Sequence, residues 1–147
     1  MLVDFGRSID LEKVASRGSD PLQTQFNGRI AAEDMAPVSM QKGLPWGVDL
    51  DLYGVAASSF ILLFGSHMEV TQGTEKWRPH KSLRRYWQKE LWSLLFDALL
   101  NFDSRTDKYA DIGDIRTRFE EYIDGKDRKR EIATHFSQLY DHLPKKR

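Results

Sequence analysis

The chain has 147 residues, of which 40% are hydrophobic and 30% charged, and its 22 Lys and Arg balance its 22 Asp and Glu. That length carries one domain with a core of its own, and that hydrophobic share excludes an intrinsically disordered chain. The even charge excludes the basic excess of a dedicated nucleic-acid binder, and the lack of cysteine excludes disulfides, thiolate metal sites and a cysteine nucleophile.

Leu2-Val3-Asp4-Phe5-Gly6 reads as a short strand that delivers an aspartate to a glycine turn. Asp4 and Arg7 interrupt the start, so no apolar targeting segment is visible there. Residues 7–44 show no sustained period and are punctuated by Gly18, Pro21, Gly28, Pro37 and Gly43. A compact domain seldom holds such a stretch unless it is functional or mobile. The plainer alternative is a disordered N-terminal arm.

Residues 51–65 predict a helix, with Asp51 capping its first turn and Gly65 ending it. Apolar residues run almost all the way round, so this helix is expected at the centre of the fold. Gly54 within it hints at close packing. Its apolar run, Val55 to Phe64, falls far short of the roughly 18–20 residues of a membrane span, so no membrane association is expected. Residues 71–82 are polar, contain Gly73 and Pro79, and read as a loop.

Residues 83–101 predict an amphipathic helix, with Leu83, Trp87, Leu91, Leu94, Leu95, Ala98 and Leu99 on one face. A further helix is predicted over 111–124, with Ile112, Ile115, Phe119, Tyr122 and Ile123 as its stripe and Gly125 as its stop. The last is predicted over 127–143, lined by Ile132, Phe136, Leu139, Tyr140 and Leu143, before Pro144. After the opening strand no segment alternates like a strand, so the fold class is mainly α.

Chemistry-bearing patterns are sparse. His135 and His142 lie near one face of the last helix, but no third ligand accompanies them and no HExxH spacing exists, so no metal site is assigned to them. The basic clusters 128–130 and 145–147 read as solvated surface, with nuclear targeting as the alternative for the tail. No Ser–His–Asp set and no glycine-rich phosphate loop can be proposed. No catalytic residue and no nucleotide-binding residue is therefore assigned within the chain.

Several spaced motifs together carry a resemblance. VDFGRSID (3–10), MQKGLPW (40–46), DLYGVAA (51–57) and LFGSHMEV (63–70) follow one another in the order found in Bub-type mitotic checkpoint serine/threonine kinases. Leu83-Arg84-Arg85, Trp92 and Leu99-Leu100-Asn101 have the same flavour. The resemblance covers about residues 2–103, and the last forty residues match only as a helical pattern.

The resemblance implies a truncated protein-kinase C-lobe: magnesium loop (1–10), activation segment (11–46), helical C-lobe (47–143) built on a buried central helix and three further helices, and basic tail (144–147). Asp4 would be a magnesium ligand, since a carboxylate suits a hard cation bridging phosphate oxygens. Phe5 would set the orientation of Asp4, and Gly6 would supply the turn. Arg7 to Asp10 would begin the activation segment. Asp51 would support the backbone of a catalytic loop, and Pro45, Trp46 and Tyr53 would pack.

The complete kinase domain would use Mg2+ and ATP to phosphorylate protein Ser/Thr, with chromatin protein as a substrate class. Its partners would be that substrate and checkpoint or kinetochore proteins. Its location would be the nucleus and kinetochore, without direct nucleic-acid binding.

The chain departs from the family in two ways. The family carries a glutamate twelve residues before its central-helix aspartate, where it pairs with a buried arginine. Counting back from Asp51 gives Ser39, which cannot form that ion pair. The glycine-rich loop, strand lysine, helix glutamate and catalytic-loop residues that phosphoryl transfer needs are not among the 147 residues. The chain alone is expected to be inactive, and a non-catalytic, pseudokinase-like interaction module is the alternative. The central helix is also expected to show an uncovered apolar patch over residues 55–64.

Overall fold

The computed structural model describes residues 8–28, 36–102 and 109–142, apart from the side chains of 109–111 and 142. The expected opening strand and the basic tail lie outside these residues. In chain order the elements are α1 (Leu11–Val14), a 3-10 turn (Pro21–Gln23), α2 (Val38–Gln41), α3 (Asp49–Phe64), β1 (Val70–Gln72), β2 (Trp77–Pro79), α4 (Lys89–Leu100), α5 (Tyr109–Asp124) and α6 (Lys126–His142). The chain divides into two compact units, residues 1–109 and 110–147, and each is taken by itself. The mainly α class expected from periodicity is the class observed.

In the first unit α3 and α4 pack against each other and build the core. Tyr53, Ala56, Ala57 and Phe60 are buried on α3, and Phe96, Leu99 and Leu100 on α4. Phe60 stacks on Phe64 with centroids 4.3 Å apart and meets Phe96 edge-on at 6.3 Å, both favourable arrangements of aromatic quadrupoles. Gly65 ends α3 in the left-handed region at φ 67°, and its N–H donates to the Ile61 carbonyl at 2.8 Å. The start corrects the expectation at Asp51. Helix α3 begins at Asp49, after Val48, which makes no side-chain capping bond. Asp49 and Asp51 instead place their charge in the first turn, at the positive end of the helix dipole.

One face of α3 stays open. Val55 is 53% exposed and Leu62 87%, with Ser58 between them on the same face and Ile61 at its border. This is the uncovered apolar patch expected over residues 55–64, confined to one side of the helix. Among the described residues nothing covers it.

Residues 70–79 correct the expected loop. β1 and β2 pair antiparallel, with Val70 opposite Pro79 and Gln72 opposite Trp77. The Gly73 N–H closes the turn on the Lys76 carbonyl at 2.8 Å. Asn101, just past α4, clamps this hairpin to the core. Its Oδ1 accepts from the Trp77 N–H (2.7 Å), and its Nδ2 donates to the Trp77 carbonyl (2.9 Å). Three-residue strands are too short for alternation to register, and Pro79 sits at a strand end where no ladder donor is needed.

Helix α4 is also shorter than its predicted 83–101. Residues 83–88 form a turn instead, in which the Trp87 N–H donates to the Arg84 carbonyl (3.1 Å). The Trp87 ring meets Phe64 edge-on at 5.0 Å, and the Arg84 guanidinium lies over Trp87 at 5.5 Å. Aromatic packing against the end of α3 thus outweighs helix propensity at these positions.

In the second unit α5 and α6 meet near Gly125, close to the predicted boundaries. Their junction is held by the Arg128 guanidinium over the Tyr122 ring (4.6 Å) and by a Lys129–Asp124 ion pair (3.0 Å). Phe136, Leu139 and Tyr140, part of the predicted face of α6, are more than half exposed.

Candidate functional site

The polar, glycine-rich segment that precedes α3 is held by local caps and by one long-range hook. Asp10 caps α1 through the Lys13 N–H, and Asp20 caps the 3-10 turn through the Leu22 N–H at 2.9 Å. Phe26 and Trp46 then form an isolated antiparallel bridge, with N–H to carbonyl distances of 2.7 and 3.0 Å in the two directions. Their rings lie 5.2 Å apart, and the Trp46 indole N–H donates to the Gly28 carbonyl at 3.1 Å. Gly47 follows because only a bare Cα fits there: a Cβ would come within 2.7 Å of the Thr24 carbonyl oxygen.

Beyond this hook, the loop and the helices around it enclose a cleft of about 480 Å³. Ser39, Lys42, Asp49, Tyr53, Trp77 and Asn101 are among its lining residues. Ser39 Oγ donates to Asp49 Oδ2, and Asp49 Oδ1 accepts from the Gly47 N–H at 2.5 Å. The Lys42 ammonium stands over the Trp77 ring, 4.7 Å from its centroid, an attraction between a cation and the negative face of the ring. One carboxylate and one ammonium therefore face a cleft of mixed polar and apolar lining. A hydroxyl committed to a carboxylate is an anchor, so the arrangement positions chain.

Of the residues singled out in the sequence, Asp4, Phe5, Gly6 and Arg7 lie outside the described residues. Asp10 serves as a helix cap. Tyr53 is buried in the core, Trp46 packs on Phe26, and Pro45 is exposed. Asp51 is exposed in the first turn of α3. His135 is exposed, and the His142 side chain lies outside the described residues. Among the described residues, no group of three or more His, Asp or Glu could hold a metal ion, and no helix is long and apolar enough to cross a membrane.

Ser39 was expected to lack the family's ion pair, and its hydroxyl is bonded to Asp49 instead. Sequence reasoning passed over Asp49 because its partner is ten residues away, beyond two glycines and a proline. Its position in the first turn of a helix was the available signal.

No family model matches the chain. The mitotic checkpoint serine/threonine-protein kinase BUB1 of Arabidopsis thaliana is 32% identical over 127 residues, covering 83% of this chain and 23% of that protein. The spindle assembly checkpoint serine/threonine-protein kinase BUB1 of Saccharomyces cerevisiae is 35% identical over 101 residues, covering 68% of this chain and 9% of that protein. The chain thus spans less than a quarter of either relative's length. Among solved structures, the BubR1 kinase domain superposes with a TM-score of 0.68 at 30% identity, over 78% of this chain and 34% of that one.

Proposed function

Because the chain belongs to the Bub-type mitotic checkpoint kinase family and has the fold of part of its kinase C-lobe, we propose that it is the portion of such a domain from the magnesium loop onward. The whole protein transfers the γ-phosphate of ATP to protein serine or threonine. It acts in the spindle checkpoint, at the kinetochore in the nucleus, with protein substrates and checkpoint proteins as partners. The observation that carries this reading is the likeness to the BubR1 kinase domain over 78% of the chain.

Asp4 is the residue of this chain proposed to hold magnesium, which would supply positive charge to offset the negative charge that develops in phosphoryl transfer. Asp4 lies outside the described residues, so no step of transfer is routed through them. Their part is structural. The Phe26–Trp46 hook and the Ser39–Asp49 bond hold the segment ahead of α3, and the α3–α4 core supports it. Transfer depends on many groups positioned together, and the glycine-rich loop and catalytic loop are not within these 147 residues. The chain by itself is therefore proposed to be inactive.

The test is phosphate transfer to a chromatin protein by a longer polypeptide that includes the upstream kinase motifs. Asp4→Asn is expected to lower transfer by roughly a hundredfold or more, while the 147-residue chain alone gives none above buffer. Equal transfer by Asp4→Asn and its parent would overturn the magnesium assignment. Ser39 in place of glutamate favours a second reading, a pseudokinase-like interaction module. That reading is adopted if the longer polypeptide is folded but inactive and magnesium-ATP leaves its melting temperature unchanged.

A further inference from the structure

Helix α2 and the first turn of α3 are separate in sequence yet tied by side chains. Ser39 Oγ donates to Asp49 Oδ2, and both residues are half-buried. The other oxygen of that carboxylate takes the Gly47 N–H, at the position where backbone crowding admits only glycine. One carboxylate thus fixes both ends of the turn from α2 into α3. Partial burial makes its charge-assisted hydrogen bonds stronger than they would be in water.

We propose that Asp49, acting through Ser39, is the fastening carboxylate of residues 36–49, and that the two residues form a matched pair in which only one position can carry the charge. A glutamate at 39 would reach beyond the place of the serine oxygen and into the Asp49 carboxylate. Two carboxylates that close cannot both stay ionised without large cost. The negative charge that the resemblance expects at position 39 is here supplied from position 49. Both are positioning residues, and the proposal stands on this geometry whether or not the kinase reading holds.

The test follows amide hydrogen exchange in the purified 147-residue chain. The Gln41, Lys42 and Leu44 amides report on the fastened loop, since they donate to the Pro37, Val38 and Ser39 carbonyls. Amides within α4 serve as the internal reference. Ser39→Ala is expected to speed exchange at the loop by about tenfold, Asp49→Ala by more because it also loses the Gly47 bond, and the double variant no further than Asp49→Ala. Ser39→Glu should speed it more than Ser39→Ala does. The swap Ser39→Glu with Asp49→Ser, which moves the charge across the pair, should return exchange to within about twofold of the parent. A Ser39→Glu chain as protected as the parent would overturn the proposal. So would a swap no better protected than Ser39→Glu alone. Should Ser39→Glu fail to fold, the swap decides the matter: a folded, protected loop supports the pair, and a second failure refutes it.

Discussion

Replacing Phe60 by alanine is expected to cost about 3–5 kcal/mol, read as a fall in the urea midpoint with little change in its slope. Phe60 is 0% exposed and lies where α3 meets α4. Its ring contacts both Phe64 and Phe96, so its loss opens a cavity and removes two aromatic pairs. The neighbours buried on α3 are Ala56 and Ala57, too short to collapse into that space. A loss below about 1 kcal/mol would mean that Phe60 is not a central core residue, because cavities of this size seldom relax so fully.

The second large effect depends on context. Leu62→Asp in the 147-residue chain is expected to leave the melting temperature nearly unchanged, since Leu62 is 87% exposed. The same variant should also bind less hydrophobic dye, because it breaks the apolar face it shares with Val55. In the longer kinase polypeptide the substitution should destabilise by about 3–5 kcal/mol, the cost of leaving a charge buried without a partner. The contrast rests on what the kinase resemblance implies, that kinase-domain sequence outside these residues would cover the open face of α3. Equal, small effects in both polypeptides would show that the face stays in water and that no such cover exists.

The helices were most legible in the sequence where an apolar run or stripe ends at a glycine. In α3 the first-turn aspartate, the terminal glycine at 65 and the apolar run pointed to one element, and the structure moved only its start. The glycine at 125 likewise marked the junction of α5 and α6 within a few residues. What escaped were features set by distant partners. Trp87 lies on the helical stripe of 83–99, yet its ring is held by Phe64 from another element, so residues 83–88 leave the helix. The β1–β2 hairpin depends on Asn101, which lies 24 residues beyond Trp77 and has no local signature. Asp49 was hidden for the same reason, because a hydrogen bond to Ser39 has no sequence period. The family, by contrast, was legible from short motifs in fixed order. Motif order survives where pairwise contacts cannot be read.

The central claim is that these residues are part of a longer checkpoint kinase, and the most direct test is the size and sequence of the native product in cells. Mass spectrometry should find peptides carrying upstream kinase sequence joined to residues 2–28, in a protein much larger than the 17.1 kDa of this chain. A native product of that mass alone, with no upstream kinase peptide, would contradict the account and leave a chain without the means of phosphoryl transfer.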